Sequence, residues 1–443
     1  MEHKTFAYQT LDCVREEAER LEAFIPLSDD LSILARPLTV GGQSGLELKN
    51  RLIIQPMEGC DGTADGAPDE LVVRRYLRFA SSGAGLIWFE AVAICPEGRA
   101  NPRQLMLTAA NLDTFKKLLD DIRERAQKER GFAPPIIMQA THSGRYSRPT
   151  AAAAPRIAAH IPPYEKDRPL ADDTIVSDDY LDSLPEKYAE SARLAEMAGF
   201  DGIDIKACHG YLMCELLGAR NRENSRYGGS YENRTRLFIE AISAAQAATS
   251  GDMLVSTRIN AYDGLPHPYG FGVSEESGLT PDLTEPLMLL GQLKGMGLRL
   301  VNITMGNPYV NPHVNRPFDK GPYAPREHQF EGLNRMYAGT KRIKEAHPEL
   351  NIVASAFSYL RHFAPHAAAG LVRAGAADMA GFGRAAFAYP GFAQDILDNG
   401  GMDRGKCCIC CGKCSELMRA QSTAGCVVRD RIYADIYKRD VRG

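Results

Sequence analysis

Six of the eleven cysteines of this 443-residue chain lie near its carboxyl end, in the run CCICCGKCSELMRAQSTAGC (407–426). Thiolates at this density are typical ligands of an iron–sulfur cluster or of zinc. A four-thiolate site needs closely spaced cysteines that surround one metal centre and a more distant cysteine that closes it. Four of the six meet this requirement, with spacings of two, three and eleven residues: Cys407, Cys410, Cys414 and Cys426.

We predict that these four cysteines hold a [4Fe–4S] cluster, with structural zinc as the alternative metal. A shifted register is also open to the same run, through Cys408, Cys411 and Cys414. A redox-inert tail that binds no metal is the remaining interpretation. The other five cysteines are scattered, and in a cytosolic protein of this size they do not indicate a disulfide framework.

A second group of reactive side chains stands at the ends of short apolar runs. A single polar residue in such a place is often a capping or core group, whereas several that converge on one face indicate an active site. The residues are Pro56, Met57 and Glu58 in the first run, Gln139 in the third, Lys206, His209 and Tyr211 in the fourth, Arg258 in the fifth, and Gly383 and Arg384 in the eighth.

The apolar runs alternate with longer amphipathic segments, which is the pattern of repeated βα units. Phe115–Arg130 and Leu184–Ala198 show apolar residues at three- and four-residue steps and are predicted helices. Eight such units predict a (β/α)₈ barrel, and an open doubly wound sheet is the alternative topology. The predicted strands are 51–57, 85–92, 135–142, 202–209, 254–261, 298–306, 351–358 and 378–384, the last with Ala377 before it.

The chain divides into three predicted parts: a polar, partly helical leader (1–35), the barrel (36–400) and a cysteine-rich tail (401–443). Long loops rich in Gly, Pro and polar residues follow the third to sixth strands. In a barrel these loops crowd the carboxyl ends of the strands, where such enzymes build their active sites. The loops are 143–180, 210–235, 262–282 and 307–332.

Composition narrows the function classes. Hydrophobic residues make up 44% of the chain and charged residues 24%, which fits a folded enzyme and excludes a disordered or fibrous protein. The net charge of −4 is spread without long runs of one sign, so we expect no nucleic-acid or membrane partner. The first residues, MEHKTFAYQT, are too polar for a signal peptide, and we expect a cytoplasmic protein.

Several segments together resemble one family. The stretch DGIDIKACHGYLMCELLGARNRENSRYGGSYENRTRLF resembles the fourth-strand signature of the old yellow enzyme superfamily of FMN-dependent oxidoreductases. RLIIQPM, QATHSGR and ADMAGFGRAAFAYP resemble its first-, third- and eighth-strand signatures, and the resemblance extends over residues 33–430. The cysteine register is similar to that of the branch with 2,4-dienoyl-CoA reductases and trimethylamine dehydrogenase, in which a [4Fe–4S] cluster follows the barrel.

The resemblance implies an FMN site. Pro56 and Met57 would lie against the flavin ring, and Gln139 would bond its pyrimidine edge. Arg258 would stand beside the electron-accepting end of the ring, where a cation raises the reduction potential because the reduced ring is anionic.

The implied phosphate site includes one departure from the family. Gly383 and Arg384 match the eighth-strand contacts, and a glycine turn with a guanidinium suits a phosphate dianion. The family's glycine pair after the seventh strand is replaced here by Ser355 and Ala356. An alanine amide still donates, but the close approach that glycine permits is not assured.

The implied substrate pocket departs further. Many relatives hold a substrate carbonyl with two side chains three residues apart; here His209 matches the second and Lys206 replaces the first. Lys206 would polarise a carbonyl or pair with Glu58, or it is only a salt-bridged residue at the end of a strand. Tyr211 matches the family's proton donor, and the alternative is that it packs the loop.

The predicted function is an FMN-dependent ene-reductase that takes hydride from NADH or NADPH. It would pass hydride to the β-carbon of a bulky planar enone such as a flavone, or of an enoyl thioester. The first alternative is an amine dehydrogenase or demethylase that sends electrons out through the cluster, and the second is an electron-transfer module without an organic substrate. Since no GxGxxG motif follows a predicted strand, either the nicotinamide reduces FMN directly or a separate protein delivers electrons; a homo-oligomer is left open.

Overall fold

The computed structural model describes residues 3–41, 45–276 and 279–443. Within these ranges eight parallel strands close into a barrel in which the last strand pairs with the first. This arrangement confirms the predicted (β/α)₈ barrel and rules out the open sheet. The barrel strands are β3 (Leu52–Ile54), β4 (Leu86–Ala93), β5 (Ile136–Thr141), β6 (Gly202–Ile205), β7 (Leu254–Asn260), β8 (Leu300–Thr304), β9 (Asn351–Ala354) and β10 (Met379–Phe382).

Each predicted strand overlaps an observed one. Seven of the eight observed strands lie inside the predicted bounds and are shorter, whereas β4 has the predicted length and is displaced by one residue. All positions of β4 and β7 are buried, as expected for a parallel sheet covered by helices. The first predicted strand ran to Met57, whereas β3 ends at Ile54. Pro56 has no amide hydrogen for the ladder, so the chain leaves the sheet there and is free to present its side chains at the rim.

The helices lie between the strands and in the long loops. The helix predicted over Leu184–Ala198 is observed with those bounds, and Gly199 stops it in the left-handed conformation (φ 94°). The helix predicted from Phe115 starts three residues earlier. The helices are α1 (Leu11–Arg20), α2 (Glu70–Ala80), α3 (Leu112–Arg130), α4 (Pro162–Glu165), α5 (Asp178–Asp182), α6 (Leu184–Ala198), α7 (Leu212–Gly218), α8 (Tyr231–Ala248), α9 (Thr284–Gly295), α10 (Pro312–Asn315), α11 (Gln329–Ala346), α12 (Ala364–Arg373), α13 (Arg384–Ala388), α14 (Phe392–Asn399), α15 (Lys413–Arg419) and α16 (Arg431–Tyr437), with shorter turns of 3₁₀ helix at Ser32–Ala35, Pro96–Gly98, Gly144–Tyr146, Asp172–Thr174 and Phe357–Phe363 and a π-type turn at Lys438–Arg442.

A two-stranded antiparallel hairpin, β1 (Leu38–Val40) and β2 (Leu46–Leu48), precedes the barrel and was not predicted. Three-residue strands are too short to show a periodicity in the sequence. Val40 and Leu48 of the hairpin pack in one core cluster with the first residues of several strands, among them Leu86, Leu254 and Leu300. The hairpin therefore covers the amino-terminal end of the barrel and leaves the carboxyl end for the site.

The cysteine-rich tail is fastened to the loop after β3. The Thr423 hydroxyl and the Ala424 amide both donate to the carbonyl oxygen of Gly59, at 2.9 and 2.8 Å. Arg74 of α2 forms an ion pair with the buried Asp430 of the tail. The leader likewise packs into the main hydrophobic core through Val14. The division at residues 35 and 400 stays a prediction, because nothing in these contacts tests it.

A buried ionic cluster lies beneath the same loop. Arg75 donates to both carboxylate oxygens of Asp61, at 2.6 and 2.9 Å, and to Glu90 at 2.5 Å. The Gly59 amide donates to the other oxygen of Glu90 at 2.8 Å. The cluster therefore fixes the backbone that carries the end of the first strand into the cavity.

None of the helices in the described ranges combines the length and the apolar character that crossing a bilayer requires. The cytoplasmic location expected from the sequence stays a prediction, since the fold does not report a compartment.

Replacing Arg75 by Met should destabilise the fold by about 3 to 5 kcal/mol, because Asp61 and Glu90 would stay buried without their cation. Urea unfolding measures this loss. The matched control is Arg125→Met, which removes the exposed pair with Glu129 and should cost under about 1 kcal/mol. Equal losses in the two variants would contradict the assignment.

Candidate active site

A cavity opens at the carboxyl ends of the strands, and the empty space in it, including solvent at its open side, is about 1070 Å³. Its lining combines residues from the barrel strands, from the long loops and from the tail. Every residue predicted to be catalytic or to bind cofactor lies on its wall: Pro56, Met57, Gln139, Lys206, His209, Tyr211, Arg258, Ser355, Ala356, Gly383 and Arg384. The structure thus brings the predicted set together, while the role of each residue stays a prediction.

Asp204, which was not predicted, organises the polar wall formed by β5, β6 and β7. Its carboxylate accepts hydrogen bonds from the Gln139 amide (2.6 Å), the Trp88 indole (2.8 Å) and the Arg258 backbone amide (2.6 Å). Burial raises the pKa of Asp204 to about 6 in spite of these donors. Because Gln139 donates through its NH₂ group, its carbonyl oxygen is left to accept from a ligand. An acidic residue inside the apolar strand GIDI was the sequence signal for this role.

Arg258 is a buried cation without a carboxylate partner in the described part of the chain. Its Nε makes no hydrogen bond there, and it forms no ion pair. Burial lowers the pKa of Arg258, with Cys208 and Asp204 opposing that effect. A buried guanidinium left unpaired is costly unless a ligand supplies the negative charge. This environment suits the anionic reduced flavin that the resemblance implies.

At the predicted phosphate site, the backbone of Ala356 adopts a conformation that is typical of glycine. Ala356 has φ 74° and ψ 25°, the left-handed conformation that a glycine adopts without strain. Ala356 thus adopts the conformation for which the family's glycine is suited. Gly383, on the neighbouring strand end, sits so close to Met57 that an added Cβ would lie 2.9 Å from its sulfur.

Arg316 was missed by the sequence reasoning and adds a second guanidinium to this end. It lies in the loop after β8 and lines the cavity with Arg384. It donates to the Ser415 hydroxyl at 2.6 Å, and its buried Nε has no partner among the described residues. Two guanidinium groups in one cavity suit a phosphate dianion, and the phosphate site itself stays a prediction.

Tyr211 is the centre of a hydrogen-bonded cluster on the opposite wall. Its hydroxyl lies 3.3 Å from Glu58 Oε2 and 3.0 Å from the Tyr309 hydroxyl. Lys206 Nζ stands over the Tyr211 ring, 3.7 Å from its centre. Among the described residues Lys206 forms no ion pair with Glu58, so its nearest defined contact is with the aromatic ring.

His209 presents an unpartnered ring nitrogen to the cavity. It adopts a left-handed backbone conformation (φ 67°) at the end of β6, and its buried Nε2 has no hydrogen-bond partner in the described structure. Burial, with the charges of Arg258 and Lys206, lowers the pKa of His209 well below its ordinary value. A neutral imidazole with a free nitrogen is suited to donate to a ligand oxygen.

Two tyrosines, Tyr211 and Tyr309, line the cavity, and Tyr146 stacks on Tyr309. The rings of Tyr146 and Tyr309 are parallel within 25°, with centres 4.0 Å apart, and Tyr211 lies at 6.3 Å from Tyr309. Asn307 fixes this group by donating to the hydroxyls of Tyr146 and Tyr164. Tyr309 was missed from the sequence because a tyrosine in a long loop carries no local sign of its contacts.

The six clustered cysteines line a neighbouring pocket of about 380 Å³, together with Arg384 and Phe387. Cys414, Arg384 and Phe387 line both this pocket and the large cavity. Within the described ranges no three His, Cys, Asp or Glu side chains are arranged to hold a metal ion. The thiols are free and the donor set fits a thiolate-bound metal, but neither the cluster nor its register is shown. The ligands Cys407, Cys410, Cys414 and Cys426 stay predictions.

Comparison with known proteins identifies the family. Residues 34–272 match the sequence profile of the NADH:flavin oxidoreductase / NADH oxidase family. The chain belongs to this family. The resemblance to the old yellow enzyme superfamily is thereby confirmed. The family is one of flavin oxidoreductases, as predicted, and FMN with NAD(P)H fits it. The matched residues end before the cysteines, so the match says nothing of the cluster.

The relatives differ in how much of their length the chain spans. It is 26% identical over 412 residues to NADH oxidase of Thermoanaerobacter brockii, covering 91% of this chain and 58% of that protein. It is 31% identical over 279 residues to NADPH dehydrogenase of Geobacillus thermodenitrificans, covering 62% and 73%. Since it spans little more than half of the first relative, the activity, substrate and partners of the whole protein are proposals.

Solved structures share the fold. A complex of 2-naphthoyl-CoA reductase with 2-naphthoyl-CoA superimposes with a TM-score of 0.72 at 18% identity, covering 92% of this chain and 58% of that one. Histamine dehydrogenase from Rhizobium sp. 4-9 gives 0.67 at 18% identity, covering 90% and 52%. Morphinone reductase in complex with tetrahydroNAD gives 0.61 at 19% identity, covering 84% and 92%.

Replacing Ala356 by Gly should raise the free energy of unfolding by about 0.5 to 1 kcal/mol. Glycine removes the strain of the left-handed conformation, and this gain is larger than the cost of its extra freedom in the unfolded chain. Thermal unfolding measures the change. The control is Ala354→Gly, in the buried strand β9, which should destabilise. A loss of stability in Ala356→Gly would show that the methyl group contributes packing that outweighs the strain.

Proposed function

We propose that this chain is an FMN-dependent reductase that uses NADH or NADPH to saturate an activated carbon–carbon double bond. The substrate class is a bulky planar enone such as a flavone, or an enoyl thioester. The observation that carries the proposal is the placing of the free nitrogen of His209 and the hydroxyl of Tyr211 in one cavity with the predicted flavin-binding residues.

FMN, when bound, would supply the hydride that it has taken from the nicotinamide. The chain's own groups hold it: Gln139 offers a carbonyl oxygen oriented by Asp204, and Arg258 offers an unpaired positive charge. Arg316 and Arg384 provide the charge that a phosphate group needs. The cavity wall thus matches both ends of the cofactor.

His209 and Tyr211 act on different atoms of the substrate. The neutral imidazole of His209 donates to the carbonyl oxygen, where negative charge develops, and a donor in a site of low polarity is strongly stabilising there. Burial raises the pKa of Tyr211 well above its ordinary value, so the phenol keeps its proton until the α-carbon takes it. Lys206, 3.7 Å from the ring centre, stabilises the charge left on the tyrosine oxygen.

The tyrosine wall supports a planar substrate. The ring of Tyr309, which lines the cavity, offers a flat apolar surface on which an aromatic ring system packs. Two of the structural neighbours are named as reductases, one of them solved with 2-naphthoyl-CoA, and these names agree with the proposed class.

The charge of the cavity favours reduction of an enone over oxidation of an amine. Histamine dehydrogenase shares the fold, so amine oxidation is the competing activity. Of the described residues that line the cavity, four are basic, whereas one is a carboxyl group; they are Lys206, Arg258, Arg316, Arg384 and Glu58. Because Arg258, Arg316 and Arg384 are assigned to the cofactor, the charge left at the substrate end is that of Lys206 beside Tyr211, and a cationic amine would be repelled there.

Substitution of Tyr211 tests the reaction. Protein is prepared without air, loaded with FMN, reduced with NADH or NADPH and mixed with flavone or 2-cyclohexen-1-one, and the return of the oxidised flavin spectrum is followed. Tyr211→Phe should slow this reoxidation by about a hundredfold or more, because the proton donor is lost.

The control for that experiment is Tyr164→Phe, which removes a buried tyrosine hydroxyl bonded to Asn307 outside the cavity wall and should react like the wild type. Wild-type protein that binds no FMN, or whose reduced flavin neither enone reoxidises, would remove the proposed function. Reduction of the flavin by an amine would put the dehydrogenase in its place.

We further propose that the cysteine pocket holds a [4Fe–4S] cluster. The support is the meeting of six free thiols in one pocket and the sharing of Cys414, Arg384 and Phe387 with the cavity. Arginine near thiolates offsets the negative charge that such a group would bring. The closeness of the two pockets suits electron exchange with the flavin, through which a separate protein would also deliver electrons.

Cys414 belongs to both cysteine registers, so Cys414→Ser should lower the bound iron and sulfide of anaerobically purified protein to near zero. Cys13→Ser, at a cysteine far from the run, should leave them unchanged. Loss of iron in Cys407→Ser but not in Cys408→Ser supports the predicted register, and the reverse supports the shifted one. Zinc in place of iron and sulfide in the wild type would contradict the cluster.

A further inference from the structure

The proposed reaction leaves Tyr211 without its proton after every turnover, and one acid stands against that hydroxyl. Among the described residues that line the cavity, Glu58 is the one carboxyl group. Its Oε2 lies 3.3 Å from the Tyr211 oxygen. We propose that Glu58 supplies the proton that restores the Tyr211 hydroxyl in each cycle, an inference that rests on the proposed function.

The surroundings of Glu58 favour its protonated form. The Glu58 carboxyl group contacts the Tyr211 hydroxyl and the Cys60 thiol, whose sulfur lies 3.4 Å from Oε1. The positive charge of Lys206 also acts on it. Burial raises the pKa of Glu58, and Lys206 together with the two donors only partly offsets this. A carboxyl group whose protonated form is favoured by burial is the type of acid that a relay requires.

Tyr309 touches the same hydroxyl and is the weaker candidate. Burial raises the pKa of Tyr309 well above its ordinary value. A carboxylic acid is ordinarily about a million times more acidic than a phenol. Transfer from Glu58 to the tyrosine oxygen is therefore downhill, whereas transfer from Tyr309 only moves the charge from one phenol to another.

Hydrogen bonds to both the amide and the carbonyl group of Gly59 fix the backbone next to Glu58. The Gly59 amide donates to Glu90, and the Gly59 carbonyl accepts from Thr423 and Ala424. Cys60 then adopts a left-handed conformation (φ 51°) that turns the chain away. This fixation keeps the carboxyl group directed at Tyr211 through the cycle.

The step balances in atoms and electrons. The hydride from the reduced cofactor forms the bond at the β-carbon, and the Tyr211 O–H bond breaks as the α-carbon gains a proton. The Glu58 O–H bond then breaks as the Tyr211 O–H bond forms again. Glu58 recovers its proton from solvent while the next nicotinamide is oxidised, so that each turnover consumes one nicotinamide hydride and one solvent proton.

Comparing the first turnover with later turnovers tests this role in the FMN-loaded protein. Glu58→Gln keeps the size and polarity of the side chain but removes the acid. Since Tyr211 starts protonated, the first equivalent of enone should react at the wild-type rate, and later turnovers should slow by about a hundredfold. Rapid mixing with flavone or 2-cyclohexen-1-one would show a burst of one equivalent. Glu58→Asp should restore part of the later rate.

The matched control is Glu97→Gln. Glu97 also accepts a hydrogen bond from a tyrosine hydroxyl, that of Tyr180 at 3.1 Å, but it lies outside the cavity wall. This variant should show no burst. The infrared difference spectrum between the wild type and Glu58→Gln gives a second readout that needs no substrate. It should contain a band of a protonated carboxyl group that is present in the wild type and absent in the variant. This band should shift in D₂O.

Three results would overturn the inference. Steady turnover of Glu58→Gln within twofold of the wild type would remove the need for this acid. Equal slowing of its first and later turnovers would mean that Glu58 only positions Tyr211. Absence of the infrared band would mean that Glu58 is ionised and has no proton to give. Failure of the proposed function is recognised separately, since the wild type would then show no first turnover with either enone.

Discussion

Closure of the barrel between β10 and β3 is the constraint on which the site depends. Ala380, Gly381 and Phe382 pair with Leu52, Ile53 and Ile54 in parallel register. This pairing places the ends of the first and last strands side by side, although they are separated by most of the chain. Glu58, which lies beside Tyr211, and Arg384, which also lines the cysteine pocket, consequently line one cavity. A sheet left open at this edge would hold them apart.

The second constraint is electrostatic. Burying several cations in one cavity costs free energy unless a ligand brings the opposite charge. Arg258 and Arg316 keep nitrogen atoms without partners in the described structure. The cavity is thus better suited to an anionic ligand than to the empty state. Among the described residues of its lining, the one carboxyl group is that of Glu58, which lies beside Tyr211.

Much of this could be predicted from the sequence because the signals are local. Neighbouring residues alone are enough to recognise a strand-forming run, an amphipathic helix or a spacing of cysteines. The barrel and the residues that follow its strands into the cavity could therefore be predicted. Asp204, Tyr309 and Arg316 were missed because their roles arise from partners distant in sequence, such as Gln139 and Ser415. The β1–β2 hairpin was missed for a different reason, since three-residue strands have no measurable period.

The cysteine-rich tail contacts both the loop after β3 and the cavity. Its Thr423 and Ala424 hold the Gly59 carbonyl, one residue beyond Glu58, while its Cys414 and Ser415 line the cavity beside Arg316. Any change that reorders the cysteine segment therefore displaces both the acid beside Tyr211 and the cationic end of the cavity. The cysteine pocket thus has a structural connection to the reaction even if no electron passes through it. The hydrogen bonds that hold the loop and the free thiols of the pocket are separable features, because they belong to different residues of the same tail.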